Sequence, residues 1–114
     1  MAGVFTKTHI EIDNVLGGAL QARVHCRNNL NVVHEGVINN GQSFRFEFTL
    51  SGFEKVWYCH FGYNDGVAYG ILYQYPTDYH RCCKNCSYSI AKDGVHRYDK
   101  HGKDEIFLNW EKCC

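Results

Sequence analysis

Charge of either sign in excess is missing from this chain: 12 Lys and Arg stand against 12 Asp and Glu. A protein that wraps nucleic-acid phosphate carries surplus cations. The balance therefore argues against nucleic acid as a partner, and against polybasic docking on an acidic membrane. No stretch approaches the ~18–20 apolar residues of a membrane-spanning helix, so membrane insertion is not expected. The N-terminus, MAGVFTKTHIEI, has no charged leader followed by an apolar run. The expectation is a mature form with its signal peptide absent and Met1 an expression start. Proline occurs once, at Pro76. Helical 3.6-residue periodicity of useful length, internal repeats, linkers and low-complexity runs are all lacking. So are G-x-S-x-G, H-E-x-x-H and a phosphate-cradling glycine loop, and Gly17-Gly18 is only a turn. Neither a catalytic centre nor a cofactor is expected.

What the chain does have is period-two alternation. In SFRFEFTL, Phe44, Phe46, Phe48 and Leu50 share one face, with Arg45, Glu47 and Thr49 on the other. This pattern is a half-buried strand. ALQARVHC places Leu20, Ala22, Val24 and Cys26 opposite Gln21, Arg23 and His25, and HIEI before Gly17-Gly18 suggests a hairpin partner for it. KVWYCHFG sets Trp57, Cys59 and Phe61 against Val56, Tyr58 and His60, and both faces are apolar enough for a central strand. Asn40-Gly41, Asp65-Gly66 and Asp93-Gly94 punctuate the runs, the first as a type I′ hairpin turn. DEIFLNW reads as a last strand. Residues 1–114 are thus expected to form one domain, an antiparallel β-sandwich of seven or eight strands. The inward set includes Val24, Cys26, Phe44, Phe46, Phe48, Trp57, Cys59 and Ile90.

Seven cysteines in 114 residues exceed ordinary cytosolic usage, which points to oxidation outside the cell or to metal. Structural zinc needs a second short-spaced pair beside Cys83-x-x-Cys86, and the scattered histidines do not provide it. His25 and His60 alternate within strands, facing solvent or packing in place. A thioredoxin-type C-x-x-C opens a helix, whereas Cys86 leads into the strand pattern SYSIAKDG. No metal site is expected, and disulfides explain more. Cys26 and Cys59 share faces with Val24 and Trp57, so their sulfurs should point into the sandwich as part of a cystine between sheets. Asn85-Cys86-Ser87 is a glycosylation sequon, meaningful in the secretory pathway. Four cysteines allow three connectivities, and spacing does not choose among them.

Read together, HIEIDNV from His9, LQARVHC ending at Cys26, GQSFRFEF from Gly41, VWYCHF around Cys59 and CKNCSYSIAKDG from Cys83 to Gly94 resemble the plant self-incompatibility family, the secreted S-protein homologues. The resemblance covers nearly the whole chain; each motif is weak alone and specific jointly. It implies a small secreted β-sandwich stapled through Cys26, Cys59, Cys83 and Cys86. The best-understood members of that family are stigma-secreted ligands that meet a pollen plasma-membrane receptor and reject self pollen through calcium signalling and programmed cell death. This chain departs from the pattern in places. Tyr88 stands where Trp is common, and His96 and Phe107 stand where some members have further cysteines. Cys82, Cys113 and Cys114 are in unfamiliar positions. The odd cysteine total leaves at least one thiol for a free or intermolecular role, such as a disulfide-linked dimer. The expected pairing is Cys59 with Cys86 and Cys26 with Cys83.

The function expected from the resemblance is that of a secreted, extracellular recognition ligand, not an enzyme. It would contact a plasma-membrane receptor protein in cell–cell signalling. The alternative is an extracellular carbohydrate-binding module, with Tyr69, Tyr73 and Tyr75 on one parity stacking sugars, or a structural or defence protein without a dedicated receptor. The longest stretch without alternation, from Pro76 to Asn85, is the expected receptor-binding loop. Thr77, Asp78, Tyr79, His80 and Arg81 form its candidate surface, Tyr79 and Arg81 above all, since Tyr and Arg are enriched at interface hot spots. The Asp93-Gly94 turn is expected beside it, and a glycan on Asn85 would shield part of it.

Overall fold

The computed structural model describes residues 7–49, 56–82 and 84–112, so Leu50, Cys83, Cys113 and Cys114 lie outside the described residues. The strands are β1 (Lys7–Asn14), β2 (Ala22–Asn28), β3 (Val33–Ile38), β4 (Ser43–Thr49), β5 (Val56–Tyr63), β6 (Gly66–Gln74), β7 (Asn85–Ala91), β8 (Gly94–Tyr98), β9 (Asp104–Leu108) and β10 (Glu111–Lys112). One short helix, α1 (Thr77–Cys82), separates β6 from β7. Two five-stranded sheets pack face to face, the first in the order β4-β1-β7-β8-β9 and the second in the order β10-β6-β5-β2-β3.

The all-β sandwich follows from the alternation. Phe46 and Phe48 are buried and Phe44 is half-buried against Gly36, while Val24, Cys26, Trp57, Cys59, Phe61 and Ile90 are fully inside. The core is rich in aromatics. Trp57 sits between Phe46, at 5.0 Å between ring centroids, and Phe48, at 5.6 Å; Phe48 in turn meets Tyr73 edge-on at 5.1 Å. β5 is an interior strand, as its two apolar faces require.

Several local expectations are corrected. The described strands number ten: DEIFLNW is strand only over Asp104–Leu108, as β9, and a further short strand, β10, follows it and reaches across to β6 in the other sheet. β1 and β2 are not a hairpin: they lie in different sheets, and β1 instead pairs antiparallel with β4 and parallel with β7. The Asn40-Gly41 turn likewise carries the chain from one sheet to the other. Gly41 has φ +81° but Asn40 does not enter the positive-φ region, so this is no type I′ turn. The Asp65-Gly66 and Asp93-Gly94 turns do close hairpins, β5–β6 and β7–β8. Gly94 is required there, because at φ +149° an added Cβ would lie 2.5 Å from the Leu108 carbonyl oxygen of β9.

The crossing between sheets is tied by Asn14. Its buried side chain donates Nδ2 to the carbonyls of Leu20 (2.9 Å) and Ile38 (2.8 Å), and its Oδ1 accepts from the Leu16 amide at 2.9 Å. An amide side chain offers both donors and an acceptor, so one residue satisfies backbone from three segments.

Candidate recognition surface

The segment expected to be a loop is mostly α1. Its first turn is set by Asp78, whose Oδ2 accepts the Gln74 amide at 2.6 Å. Asp78 is 6 % exposed, so it anchors the helix and is not offered to a partner. Arg81 is also turned inward. Its Nε donates to Asp78 Oδ1 at 2.9 Å, Nη1 to the Tyr98 carbonyl at 2.5 Å and Nη2 to the Tyr88 hydroxyl at 2.9 Å. The Tyr88 hydroxyl in turn donates to the Leu72 carbonyl at 2.5 Å. Burial works against the Arg81 charge, yet Tyr88 and Asp78 outweigh it and hold the guanidinium above its ordinary pKa. Burial pushes the Tyr88 phenol well up, despite the nearby Arg81. Arg81, expected as a contact residue, is therefore a structural clamp. A planar, permanently charged fork suits this position, since it serves three acceptors at once.

The exposed part of the segment is Thr77 and His80, with Tyr79 half-buried. Tyr79 lies between Tyr75 (5.9 Å) and His80 (6.1 Å) in a short aromatic ladder. Tyr75 precedes the cis Pro76 and is 44 % exposed. The sequence reading missed Tyr75 as a member of this patch, having set it on a strand face with Tyr69 and Tyr73.

That strand face is broken by a bulge. The register of β5 against β6 shifts between Trp57 and Tyr58, which pair with Tyr73 and Ile71 and leave Leu72 as the extra residue. Tyr69 consequently faces out at 57 % exposure while Tyr73 is fully buried, and only Tyr69 remains able to stack a sugar from the second sheet. Burial pushes the Tyr73 phenol up to about 12.

The disulfides differ from the expected pairing. Cys26 bonds Cys59, its direct partner across β2 and β5, with 4.1 Å between Cα atoms; Cys82 bonds Cys86 across the α1–β7 connection. The cystine expected between sheets is instead within one sheet. The reason is register: Cys26 and Cys59 already face each other as cross-strand neighbours, whereas Cys86 sits on β7 of the opposite sheet. Cys86 thus pairs with Cys82 and not with the expected Cys59, and Cys26 pairs with Cys59 and not with the expected Cys83, which lies outside the described residues.

The Asp93-Gly94 turn is not a neighbour of α1. β7 begins at Asn85, beside α1, and ends at Ala91, so the turn lies at the far end of a strand ~20 Å long. The segment that does approach α1 is the β8–β9 loop, where the Lys100 amide donates to the Arg81 carbonyl at 2.7 Å. Asn85 is exposed at the first position of β7, next to the Cys82–Cys86 bridge. Among the described residues no group of three or more His, Cys, Asp or Glu side chains is placed to hold a metal, and no helix is long and apolar enough to cross a membrane.

The family model of the plant self-incompatibility protein S1 matches residues 9–110. Self-incompatibility protein S1 of Papaver rhoeas is 25 % identical over 103 residues, covering 87 % of this chain and 73 % of that protein. A solved structure of SPH (Self-Incompatibility Protein Homologue) proteins, described as a widespread family of small, highly stable, secreted proteins from plants, superposes with a TM-score of 0.71. It is 22 % identical, and the match covers 94 % of this chain and 96 % of that one. The chain belongs to the plant self-incompatibility protein S1 family.

Proposed function

We propose that this protein is a secreted recognition ligand that acts by protein–protein contact with a plasma-membrane receptor and carries no chemistry of its own. The observation that supports this reading is the pairing of an exposed patch with an immobile base. Thr77, Tyr79 and His80 ride on a helix fixed by the Asp78–Arg81 pair, the Tyr88 and Tyr98 contacts and the Cys82–Cys86 bridge, and Tyr75 stands beside Tyr79 just ahead of the helix. A surface ordered before binding loses little conformational entropy on binding, and aromatic side chains supply contact area at small entropic cost. Of the residues expected at the site, Thr77, Tyr79 and His80 remain contact residues, and Asp78 and Arg81 support them. A glycan on Asn85 would stand beside this patch and restrict access to it. One of Cys83, Cys113 and Cys114, left over from the odd total, supplies the thiol for a disulfide-linked dimer.

The test is affinity capture from plant plasma membranes with the oxidised, refolded protein. Saturable, protease-sensitive binding to a single retained membrane protein supports the reading. Binding that resists protease treatment of the membranes refutes a protein receptor.

A further inference from the structure

The outer face of the second sheet is a lattice of side chains whose central row crosses four strands. Glu35 of β3, His25 of β2, His60 of β5 and Tyr69 of β6 are successive register partners. The His25 and His60 rings stand edge to face at 6.3 Å, and Tyr69 lies on His60 at 4.5 Å. One row along, Arg27 is the register partner of Tyr58, and these two side chains join His25, His60 and Tyr69 around a hollow of about 330 Å³. On the other side of the row a groove of about 430 Å³ continues past Arg23 to Val37 and Val67, sharing His25 and His60 with the hollow. Gly62 keeps that groove open: an added Cβ would meet the Arg23 guanidinium at 3.0 Å.

We propose that this hollow binds a carboxylate-bearing sugar, as one residue of an acidic polysaccharide that runs on into the groove. Two features select this ligand. β2 and β5 are interior strands whose backbone groups are engaged on both sides, so a peptide cannot add here by strand pairing and the occupant must be held by side chains. The side chains present are an exposed tyrosine face, which stacks the apolar face of a sugar ring, and a guanidinium, which takes a carboxylate in a bidentate fork. Glu35, 3.7 Å from His25, lines the groove, and neither it nor Glu111, which pairs with Val67, lines the hollow, where Arg27 stands. This site is separate from the α1 patch and does not depend on the receptor reading.

The experiment is calorimetric titration of the oxidised protein with a short galacturonic-acid oligomer, an uncharged glucan of the same length, and polyglutamate. The galacturonic-acid oligomer should bind saturably, and at least about tenfold more tightly than the uncharged glucan. Arg27→Gln and Tyr69→Ala, both at exposed positions, should each weaken it about tenfold or more with the melting temperature unchanged. Lys84→Gln, beside α1, should leave it unaltered. Absence of binding, indifference to both variants, or equally tight binding of the neutral glucan overturns the proposal. Equal binding of polyglutamate also overturns it, in favour of a general polyanion surface.

Discussion

Asp78 and Arg81, three residues apart in α1, form an ion pair at 2.9 Å with side chains only 8 % and 12 % exposed. The pair joins β6, through the Gln74 amide, to β8, through the Tyr98 carbonyl. Helix α1 has six residues and is too short to be stable by itself. Its position depends on this clamp and on the adjacent cystine.

Arg81→Ala should therefore destabilise the fold by about 3 kcal/mol, because removing one partner leaves a largely buried carboxylate uncompensated. Arg81→Lys should recover only part of this, since an ammonium cannot serve Asp78, Tyr98 and Tyr88 together. Chemical denaturation of the two variants checks both statements. An Arg81→Ala protein as stable as wild type would show that the clamp contributes nothing.

Peptide mapping under non-reducing conditions should recover Cys26 with Cys59 and Cys82 with Cys86. The two bridges should differ in worth. Loop-closure entropy for a separation of 33 residues corresponds to about 4 kcal/mol, and for a separation of four to about 2 kcal/mol. Cys59→Ala with Cys26→Ala should lower the melting temperature more than Cys82→Ala with Cys86→Ala. A reductant should lower it sharply, and a chelator should leave it unchanged.

The alternation of Phe44, Phe46 and Phe48, and of Val24 with Cys26, made the sandwich legible because burial of one sheet face imposes period two. Pairing partners were not legible, because alternation fixes which face a residue takes and not which strand lies beside it. Hence the parallel β1–β7 pair and the sheet-crossing turn at Gly41 went unread. The disulfides went astray for the same reason: Cys26 and Cys59 were placed on the correct face without a register to set them opposite each other. Adjacent Cys82 and Cys83 offered no local basis for choosing between them. The bulge at Leu72 has no turn residue to announce it, and it alone moved Tyr73 into the core. At α1, composition identified the half-buried Tyr79 and the exposed His80. It could not separate them from Arg81, whose acceptors Tyr88 and Tyr98 come from distant strands.

Asn14→Ala should cost about 2–4 kcal/mol, since it strips partners from the buried carbonyl of Ile38, the carbonyl of Leu20 and the amide of Leu16 together. Asn14→Asp keeps the acceptor for Leu16 but sets a carboxylate against two carbonyls, so it should be no better. Equilibrium unfolding in urea distinguishes this from a surface effect of a few tenths of a kcal/mol.

His96 gives stability a specific pH dependence. Hydrogen bonds to Asp93 and Asp104, each 2.7 Å, raise its pKa, and the same contact with His96 lowers that of Asp93. A raised histidine stabilises fully below its unfolded value, ~6.5, and the gain is lost as pH rises through the folded value. The depressed Asp93 acts oppositely: its contribution is present above ~3.9 and disappears as pH falls through its folded value. The melting-temperature difference between wild type and His96→Asn should thus be largest between about pH 4 and 6.5 and shrink on both sides. A difference that is flat from pH 4 to about 8 would contradict the assignment.

The central claim, that α1 presents the receptor-binding surface, is tested most directly by exchanging its outward-facing residues and the half-buried Tyr79 while keeping its clamp. Thr77, Tyr79 and His80 are replaced by Ser, Ser and Gly, with Asp78, Arg81 and Cys82 retained, and binding to plant plasma membranes is measured by saturation with labelled protein. The account predicts a melting temperature within a few degrees of wild type and loss of saturable binding. Full-affinity binding by this folded variant would contradict it.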